Sequence, residues 1–194
     1  NMKHYLRSKL ILISKLLDKN KTVISDSSLP IFRKITKVTK KRNKKIIDIN
    51  NYKIFNENIN TNLIGGFQKK NLLMSLIASE VCGLKKTQII KATKKIKKVE
   101  GRLELIKILP NKTKIFVDYA HTPDALSTVL KSLFEKYKKK ITLVFGCGGD
   151  RDKSKRKLMS KVASKFCDKM FITDDNPRFE NPRKIRNEII KNVK

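Results

Sequence analysis

The spacing of apolar and polar positions predicts a chain of helices and strands. Residues 2–18 carry apolar side chains every three or four positions, which predicts a helix with one buried face. Gly83 predicts the end of a second helix, and Thr122 with Pro123 predicts the start of another. The same criteria predict helices at 67–84, 87–99, 122–138, 155–167 and 182–193, a helical or mixed segment at 30–38, strands at 21–26, 44–49, 103–109, 113–120, 141–146 and 169–174, and a loop or exposed hairpin at 50–62.

The second half of the chain has the pattern of an α/β fold. The strands at 103–109 and 113–120 are expected as a hairpin or strand pair, and from about residue 114 strands and helices alternate, which predicts a parallel, doubly wound sheet. The segments DYAHTPD, GCGGDRD and TDDNPR each follow a predicted strand. Ligands of such sheets bind at the carboxyl ends of the strands. We therefore expect the three segments to meet at one edge and form a binding site.

The strong positive charge suggests a nucleic-acid-binding protein, but the composition has another explanation. The chain has 47 basic and 17 acidic residues, a net charge of +30. The excess is mostly lysine, spread over the whole chain and accompanied by many asparagines and isoleucines, as codon drift in an A+T-rich genome produces. Tryptophan is absent and aromatic residues are sparse, so stacking surfaces for single strands are not evident. A basic nucleic-acid-binding protein without catalysis is the less favoured alternative.

The cysteines and the apolar runs predict a cytoplasmic protein. The three cysteines are far apart and form no CxxC pair, so we expect reduced thiols and neither a disulfide framework nor a zinc site. No uncharged apolar run reaches the ~18 residues of a transmembrane helix. Basic residues interrupt the apolar positions near Asn1, unlike in a signal peptide. Because the chain starts with Asn1 and not with methionine, we expect it to be part of a longer protein.

The segment DYAHTPD offers two candidate nucleotide-binding residues. Asp118, at a predicted strand end, could accept a hydrogen bond from a ribose hydroxyl or lie near a magnesium ion. His121 could lie beside a base or sugar. The simpler interpretation is that Asp118 orients its loop and His121 fills a turn, and the spacing alone leaves both interpretations open.

The segment GCGGDRD predicts a turn that approaches a ligand closely. Gly148 and Gly149 leave room for a ligand beside the backbone, and the next helix start offers N–H groups to an anion. The P-loop pattern GxxxxGK[ST] is absent from the chain, so this is not a phosphate-gripping loop of that kind. Arg151 lies between Asp150 and Asp152, which we expect to hold its guanidinium for a bidentate carboxylate. The alternative is a solvated charge cluster.

The segment TDDNPR carries a set of groups suited to a zwitterion. Asp175, Asn176 and Arg178 could bind the ammonium and the carboxylate of one small molecule. Asp-Asn-Pro is also common turn chemistry, in which case the arginine faces water. Two further candidates stand apart from these segments. Asn71 could contact an adenine edge or be structural. Arg102 lies near residue 100, where the sequence pattern changes and where a hinge between domains would lie.

Taken together, GRLE, VDYAHTPDAL, FGCGGDRDKSKRKLM and TDDNPR, in this order and spacing, closely resemble the Mur ligase family. The resemblance is strong over 100–188, moderate over 1–20 and 63–84, and weak between 25 and 60. It implies a three-domain plan, in which an N-terminal domain for a UDP sugar precedes a central P-loop ATPase domain and a Rossmann-like C-terminal domain.

On that plan the fold class is α/β, the end of a central P-loop-type ATPase domain followed by a Rossmann-like C-terminal domain, both incomplete. Residues 1–99 would be the C-terminal part of the central domain and 100–194 the N-terminal part of the C-terminal domain. The P-loop would lie upstream and part of the amino-acid pocket downstream. We therefore expect the chain by itself to be inactive, and an inactive ligase remnant is a further alternative.

The resemblance also implies a reaction. Mur ligases use ATP and Mg2+ to convert a terminal carboxylate into an acyl phosphate, which an incoming amine attacks. The DNPR motif implies the branch that adds meso-diaminopimelate to UDP-N-acetylmuramoyl-L-alanyl-D-glutamate in peptidoglycan precursor synthesis. The implied enzyme is a monomer that binds neither nucleic acid nor membrane.

The implied residue roles around the nucleotide follow the family motifs. The pattern YxxxK matches at Lys9, which would be carbamylated and would help to position a magnesium ion; this modification needs a neutral amine, hence a buried or cation-crowded site. Asn71 would contact the adenine, and Arg102 would reach the phosphates. Asp118 and His121 would line the nucleotide. Two departures, a glutamine at 68 for the usual asparagine and a glutamate at 100 for the usual proline, put the affinity for ATP in doubt.

The implied roles around the amino acid explain the arginine of DNPR. Arg178 would bind the distal carboxylate of diaminopimelate, which lysine lacks. Asp175 and Asn176 would surround its ammonium groups, and Arg151 would bind a carboxylate. Such a site rejects lysine because its own arginine would be left unpaired.

Overall fold

The computed structural model describes residues 2–52, 63–97 and 99–191. These residues form two compact units. The first contains 2–52 and 68–97, and the second contains 63–67 and 99–191. Of the predicted loop at 50–62, residues 53–62 lie outside the described part of the chain.

The first unit combines four helices with a pair of parallel strands. Its elements are α1 (Met2–Ile11), β1 (Thr22–Ser25), α2 (Phe32–Lys41), β2 (Lys45–Asp48), most of α3 (Gly66–Val81) and α4 (Lys86–Thr93). Strand β1 pairs with β2 in parallel. Ile49, Leu76, Ile77 and Ile89 form the buried core, so α3 and α4 pack their apolar faces near the end of β2.

Two predicted helices of this unit end differently from expectation. The helix predicted at 2–18 is α up to Ile11 and continues as one π-helical turn, Leu12–Leu16. The helix predicted at 87–99 ends at Thr93. It is followed by a lysine-rich stretch, in which like charges on neighbouring turns oppose further helix.

Gly83 has a φ of 97°, the left-handed conformation of a helix end, and the amide N–H of Leu84 donates to the carbonyl of Ser79.

The second unit is an α/β unit with two separate strand pairs. Its elements are β3 (Glu104–Ile108), β4 (Lys114–Val117), α5 (Pro123–Tyr137), β5 (Ile141–Phe145), α6 (Ser154–Phe166), β6 (Cys167–Ile172) and α7 (Pro182–Ile190). Strands β3 and β4 form the predicted antiparallel hairpin, and β5 pairs with β6 in parallel. Within the described residues, the doubly wound sheet predicted from residue 114 is therefore reduced to this parallel pair, since β4 pairs with β3 and not with β5.

The core of the second unit lies between its helices and β5. Leu126, Leu130 and Met159 are buried, and alternate residues of β5 pack against them. The predicted start of α5 is confirmed: Thr122 is the N-cap, and its hydroxyl accepts a hydrogen bond from the amide N–H of Ala125 at 3.3 Å. Because β5 and β6 are parallel, the loops that follow them leave from the same edge of the pair.

Candidate active site

Three loops of the second unit enclose a cleft of about 600 Å³. They are the loops after β4, β5 and β6, which carry the three polar segments singled out in the sequence. The predicted site residues that line this cleft are Asp118, His121, Arg151, Asp175, Asn176 and Arg178. The structure therefore brings six of the nine candidates together.

The loop after β5 and the loop after β6 are joined by hydrogen bonds. The amide N–H of Gly149 donates to the carbonyl of Asn176 at 2.9 Å, and Nη1 of Arg178 donates to the carbonyl of Gly149 at 2.6 Å. The amide N–H of Phe179 likewise donates to the carboxylate of Asp150 at 3.0 Å. These contacts make one wall of the cleft from two chain segments that are far apart in sequence.

Glycine is required where these two loops meet. A Cβ atom on Gly149 would lie 1.9 Å from the carbonyl oxygen of Pro177, and one on Gly146 would lie 2.5 Å from that of Thr173. Both distances are far below any van der Waals contact. The glycines of GCGGDRD thus permit a close approach between two loops.

Arg178 lies on this wall with part of its guanidinium free for a ligand. Its backbone has a φ of 49°, which is uncommon outside glycine, and its amide N–H donates to the side-chain oxygen of Asn176 at 3.1 Å. Among the described residues, the hydrogen bond from Nη1 to Gly149 is the guanidinium's only partner. The remaining N–H groups are available for a carboxylate.

Arg151 is not held as the sequence suggested. Asp150 accepts its hydrogen bond from Phe179, and the carboxylate of Asp152 accepts from the amide N–H of Ser154 at 3.0 Å and from its hydroxyl at 2.6 Å. These bonds also lower the pKa of Asp152. In the described part of the chain neither acid forms an ion pair with Arg151, because both are used by nearby backbone. The expected bracing of Arg151 by its two neighbours is wrong.

Asp118 orients two loops. One of its carboxylate oxygens accepts from the amide N–H of Leu103 at 2.7 Å and the other from that of Ala120 at 2.8 Å. Leu103 has a φ of 51°, so the carboxylate holds a chain segment in an uncommon conformation beside the cleft. The loop-orienting interpretation of Asp118 is therefore correct as geometry, and its predicted contact with a nucleotide stays a prediction.

The ring of Tyr119, which lines the cleft, contacts two candidate residues, Arg102 and His121. The guanidinium of Arg102 lies 5.2 Å from the centre of the Tyr119 ring, and the His121 ring meets it edge-on at 5.3 Å. Nδ1 of His121 is 3.1 Å from the carbonyl oxygen of Tyr119. Since a carbonyl only accepts, Nδ1 carries the proton, and Nε2 is left for a ligand.

A buried ion network under the two loops escaped the sequence analysis. Arg156 is 2% exposed, and its guanidinium bonds Glu180 through both nitrogens and Glu188 through Nη1. Hydrogen bonding to Arg156 lowers the pKa of Glu180 to about 2. The signal in the sequence was weak, because Arg156 stands in a run of basic residues that gives no sign of which one is buried.

Lys9 and Asn71 belong to the first unit and are both exposed. Lys9 lies in the last turn of α1, with its ammonium 5.4 Å from the ring of Tyr5. Its side chain does not have the burial that we expected for a carbamylated lysine. Among the described residues, no three His, Cys, Asp or Glu side chains are grouped as metal ligands. In the same residues no helix is long and apolar enough to cross a bilayer.

An α/β unit with a charged cleft at the ends of parallel strands is the architecture of an enzyme domain that binds small charged molecules. Residues 101–194 match the family described as Mur ligase, glutamate ligase domain, and the chain belongs to the Mur ligase family. This confirms the resemblance and the α/β fold class.

Two relatives are similar over most of the chain. Both are described as UDP-N-acetylmuramoyl-L-alanyl-D-glutamate--2,6-diaminopimelate ligase. The protein of Rickettsia typhi is 48% identical over 164 residues, and that of Rickettsia prowazekii is 45% identical over the same length. Each match covers 82% of this chain and 32% of the relative. The chain thus spans about a third of the length of these relatives.

Solved structures agree with the fold. A structure described as UDP-N-acetylmuramoyl-L-alanyl-D-glutamate--2,6-diaminopimelate ligase covers 100% of this chain with a TM-score of 0.53 and 26% identity, and 44% of it is matched. A folylpolyglutamate synthase from Thermotoga maritima covers 98% of this chain, with 50% of its own length matched, a TM-score of 0.67 and 16% identity. The second similarity concerns the fold alone.

Proposed function

We propose that this chain is part of an ATP-dependent ligase that adds meso-diaminopimelate to UDP-N-acetylmuramoyl-L-alanyl-D-glutamate in peptidoglycan precursor synthesis. The observation that carries the proposal is Arg178, whose guanidinium lines the cleft with N–H groups left over for an acid. The names of two relatives at 45% and 48% identity support the choice of substrates. None of the matches described above is to a nucleic-acid-binding protein.

The cleft has the charges that diaminopimelate needs. Arg178 offers two or more donors to the distal carboxylate, and Arg151 supplies a second cation on the same cleft. The carboxylate of Asp175 and the amide of Asn176 provide acceptors for an ammonium group. Lysine would satisfy the acceptors but leave Arg178 without an acid, which costs the interaction with a charged group.

The chain's residues also suit part of a nucleotide site. ATP supplies the phosphoryl group that activates the dipeptide carboxylate, and Mg2+ neutralises phosphate charge. Arg102 offers a cation for phosphate oxygens, and His121 offers Nε2 beside the exposed ring of Tyr119. We assign Asn71 to the adenine and Lys9 to a carbamate that helps to hold Mg2+. The exposure of Lys9 means that this last role depends on cover from other residues.

We place this reaction in the cytoplasm. The supporting observation is that all three cysteines are free thiols, and burial raises the pKa of Cys147 and Cys167, so these two thiols resist oxidation.

The test is the variant Arg178→Ala in the full-length enzyme. We expect kcat/KM for diaminopimelate to fall about 100-fold, or ~3 kcal/mol, while KM for ATP changes less than about two-fold, since only the amino acid loses its charge partner. Phosphate release at varied concentrations of each substrate measures both. Arg183→Ala, which removes an exposed arginine from the first turn of α7, is the matched control and should leave both constants near wild type. Equal use of lysine and diaminopimelate by the natural enzyme would refute the proposal.

A further inference from the structure

Arg156 is a buried cation with a complete set of acidic partners. It lies in α6, is 2% exposed, and faces the chain segment that follows Arg178. Nη2 bonds one carboxylate oxygen of Glu180 at 2.9 Å, and Nη1 bonds the other at 3.1 Å. Nη1 also bonds Glu188 of α7 at 2.7 Å. A buried arginine with a bidentate acid fixes that acid in position and direction.

Glu180 carries this fixed geometry to the cleft. The carboxylate oxygen that meets Nη2 of Arg156 also accepts the amide N–H of Asp150 at 2.7 Å. Asp150 in turn accepts the amide N–H of Phe179 through its side chain at 3.0 Å. One carboxylate thus ties α6, the glycine loop and the DNPR loop together.

The residues that this network holds are in an uncommon backbone conformation. Asp150 and Arg178 both have a φ of 49°, in the left-handed region, which costs ~1 kcal/mol or more for a residue other than glycine. Such a conformation persists only where surrounding contacts enforce it. Arg178 itself lines the cleft, and Asp150 directly precedes the cleft-lining Arg151, which points to a role in ligand geometry.

We infer that Arg156 and Glu180 are positioning residues that hold the glycine loop and the DNPR loop at the separation needed to bind the amino-acid substrate through Arg178 and Arg151. The inference rests on the proposed function. It adds a pair that touches no substrate and acts through the loops. Neither Glu188 nor its bond to Arg156 is part of this device, because Glu188 belongs to α7 and to neither loop.

This difference supplies a matched pair of variants, Glu180→Gln and Glu188→Gln, in the full-length enzyme. Each removes one negative charge from the same guanidinium. Glu180 accepts three of these hydrogen bonds, one from the Asp150 amide and two from Arg156. A glutamine at 180 has a single acceptor oxygen and cannot accept all three, whereas a glutamine at 188 can still accept the one from Nη1. We expect Glu180→Gln to raise KM for diaminopimelate at least 10-fold with little change in KM for ATP, and Glu188→Gln to change neither by more than about two-fold.

A merely structural role would give another pattern. If the two variants shift KM for diaminopimelate equally, or if Glu180→Gln raises both KM values in parallel with a loss of thermal stability, the inference is overturned. Amide hydrogen exchange provides a second measurement that needs no turnover. Exchange at Asp150 and Phe179 should be at least 10-fold faster in Glu180→Gln than in Glu188→Gln.

The outcome also separates this inference from the proposed function. If the wild-type enzyme releases phosphate without any dependence on diaminopimelate, the proposed function fails, and with it the assignment of the substrate. The exchange measurement then decides the positioning role: faster exchange in Glu180→Gln alone supports it, and equal exchange in the two variants overturns it.

Discussion

Gly149 is the residue at which the two cleft loops come closest. A Cβ atom there would overlap the carbonyl oxygen of Pro177 at 1.9 Å. Both groups are backbone, so no side-chain rotation can relieve the overlap. We expect Gly149→Ala to lower the free energy of unfolding by about 1–3 kcal/mol, in the range of overpacking, as measured by urea denaturation.

Gly66→Ala is the control for this substitution. Gly66 is the first residue of α3, and a Cβ atom on it meets nothing within 4 Å. We expect its effect to stay below about 1 kcal/mol, and to be stabilising if anything, because alanine favours helix. Similar losses for both variants would show that the contact between the loops does not limit stability.

Some single residues of the site could be predicted from the sequence, and others could not. The glycines and the charged residues of the three loops were singled out by their types and by their positions after predicted strands, with turn chemistry or a solvated charge cluster left open as alternatives. The bracing of Arg151 by adjacent acids was predicted wrongly, because Asp152 caps its own turn at Ser154 and Asp150 accepts from Phe179 of the distant DNPR loop. Arg156 was missed because burial of one basic residue among many depends on Glu180 and Glu188, which are distant in sequence.

At the scale of elements, short-range signals were reliable and long-range ones were not. The N-cap of α5 and the glycine after α3 act within a few residues, and both predictions are confirmed. The hairpin of β3 and β4 was likewise local. Whether β4 also joins β5 in one sheet depends on contacts between segments that no short pattern describes, and the sheet predicted from residue 114 was wrong in this respect.

The hydroxyl of Tyr52, in the segment after β2, donates a hydrogen bond to the carboxylate of Glu80 in α3. Burial and this bond raise the pKa of Tyr52 to about 12. We expect Tyr52→Phe to lower the free energy of unfolding by about 1 kcal/mol at pH 7. A raised pKa in the folded state contributes stability below the unfolded value near 10, and this contribution is lost as the pH rises towards 12.

The absorbance of tyrosinate measures the pKa of Tyr52 directly. The difference between the pH titrations of wild type and Tyr52→Phe should show a group that ionises near pH 12. Tyr5→Phe is the control, since Tyr5 is 60% exposed. A difference curve centred near pH 10 would mean that the hydroxyl of Tyr52 faces water and fastens nothing.

For the whole molecule, the net charge of +30 has to be reconciled with the folding of two compact units. An acidic residue can have several partners: the carboxylate of Glu180 pairs with Arg156 and with Lys153 and also accepts a backbone amide N–H. With 47 basic and 17 acidic residues, most cations cannot each have an acid of their own. This is the arrangement expected when lysine enters by codon drift, and it makes self-repulsion a cost of folding.

That cost should depend on ionic strength. The screening length falls from about 30 Å at 0.01 M salt to about 6 Å at 0.3 M, which removes repulsion between distant lysines and leaves buried pairs such as Arg156–Glu180 almost unchanged. We expect the thermal midpoint of the chain to rise by about 3 °C or more over this range, the shift of ~1 kcal/mol for a protein of this size. Scanning calorimetry in sodium chloride and in sodium fluoride separates screening, which is equal in both, from binding of a particular anion to the basic surface. A midpoint that falls with salt would mean that surface ion pairs stabilise the fold by more than the repulsion between lysines destabilises it.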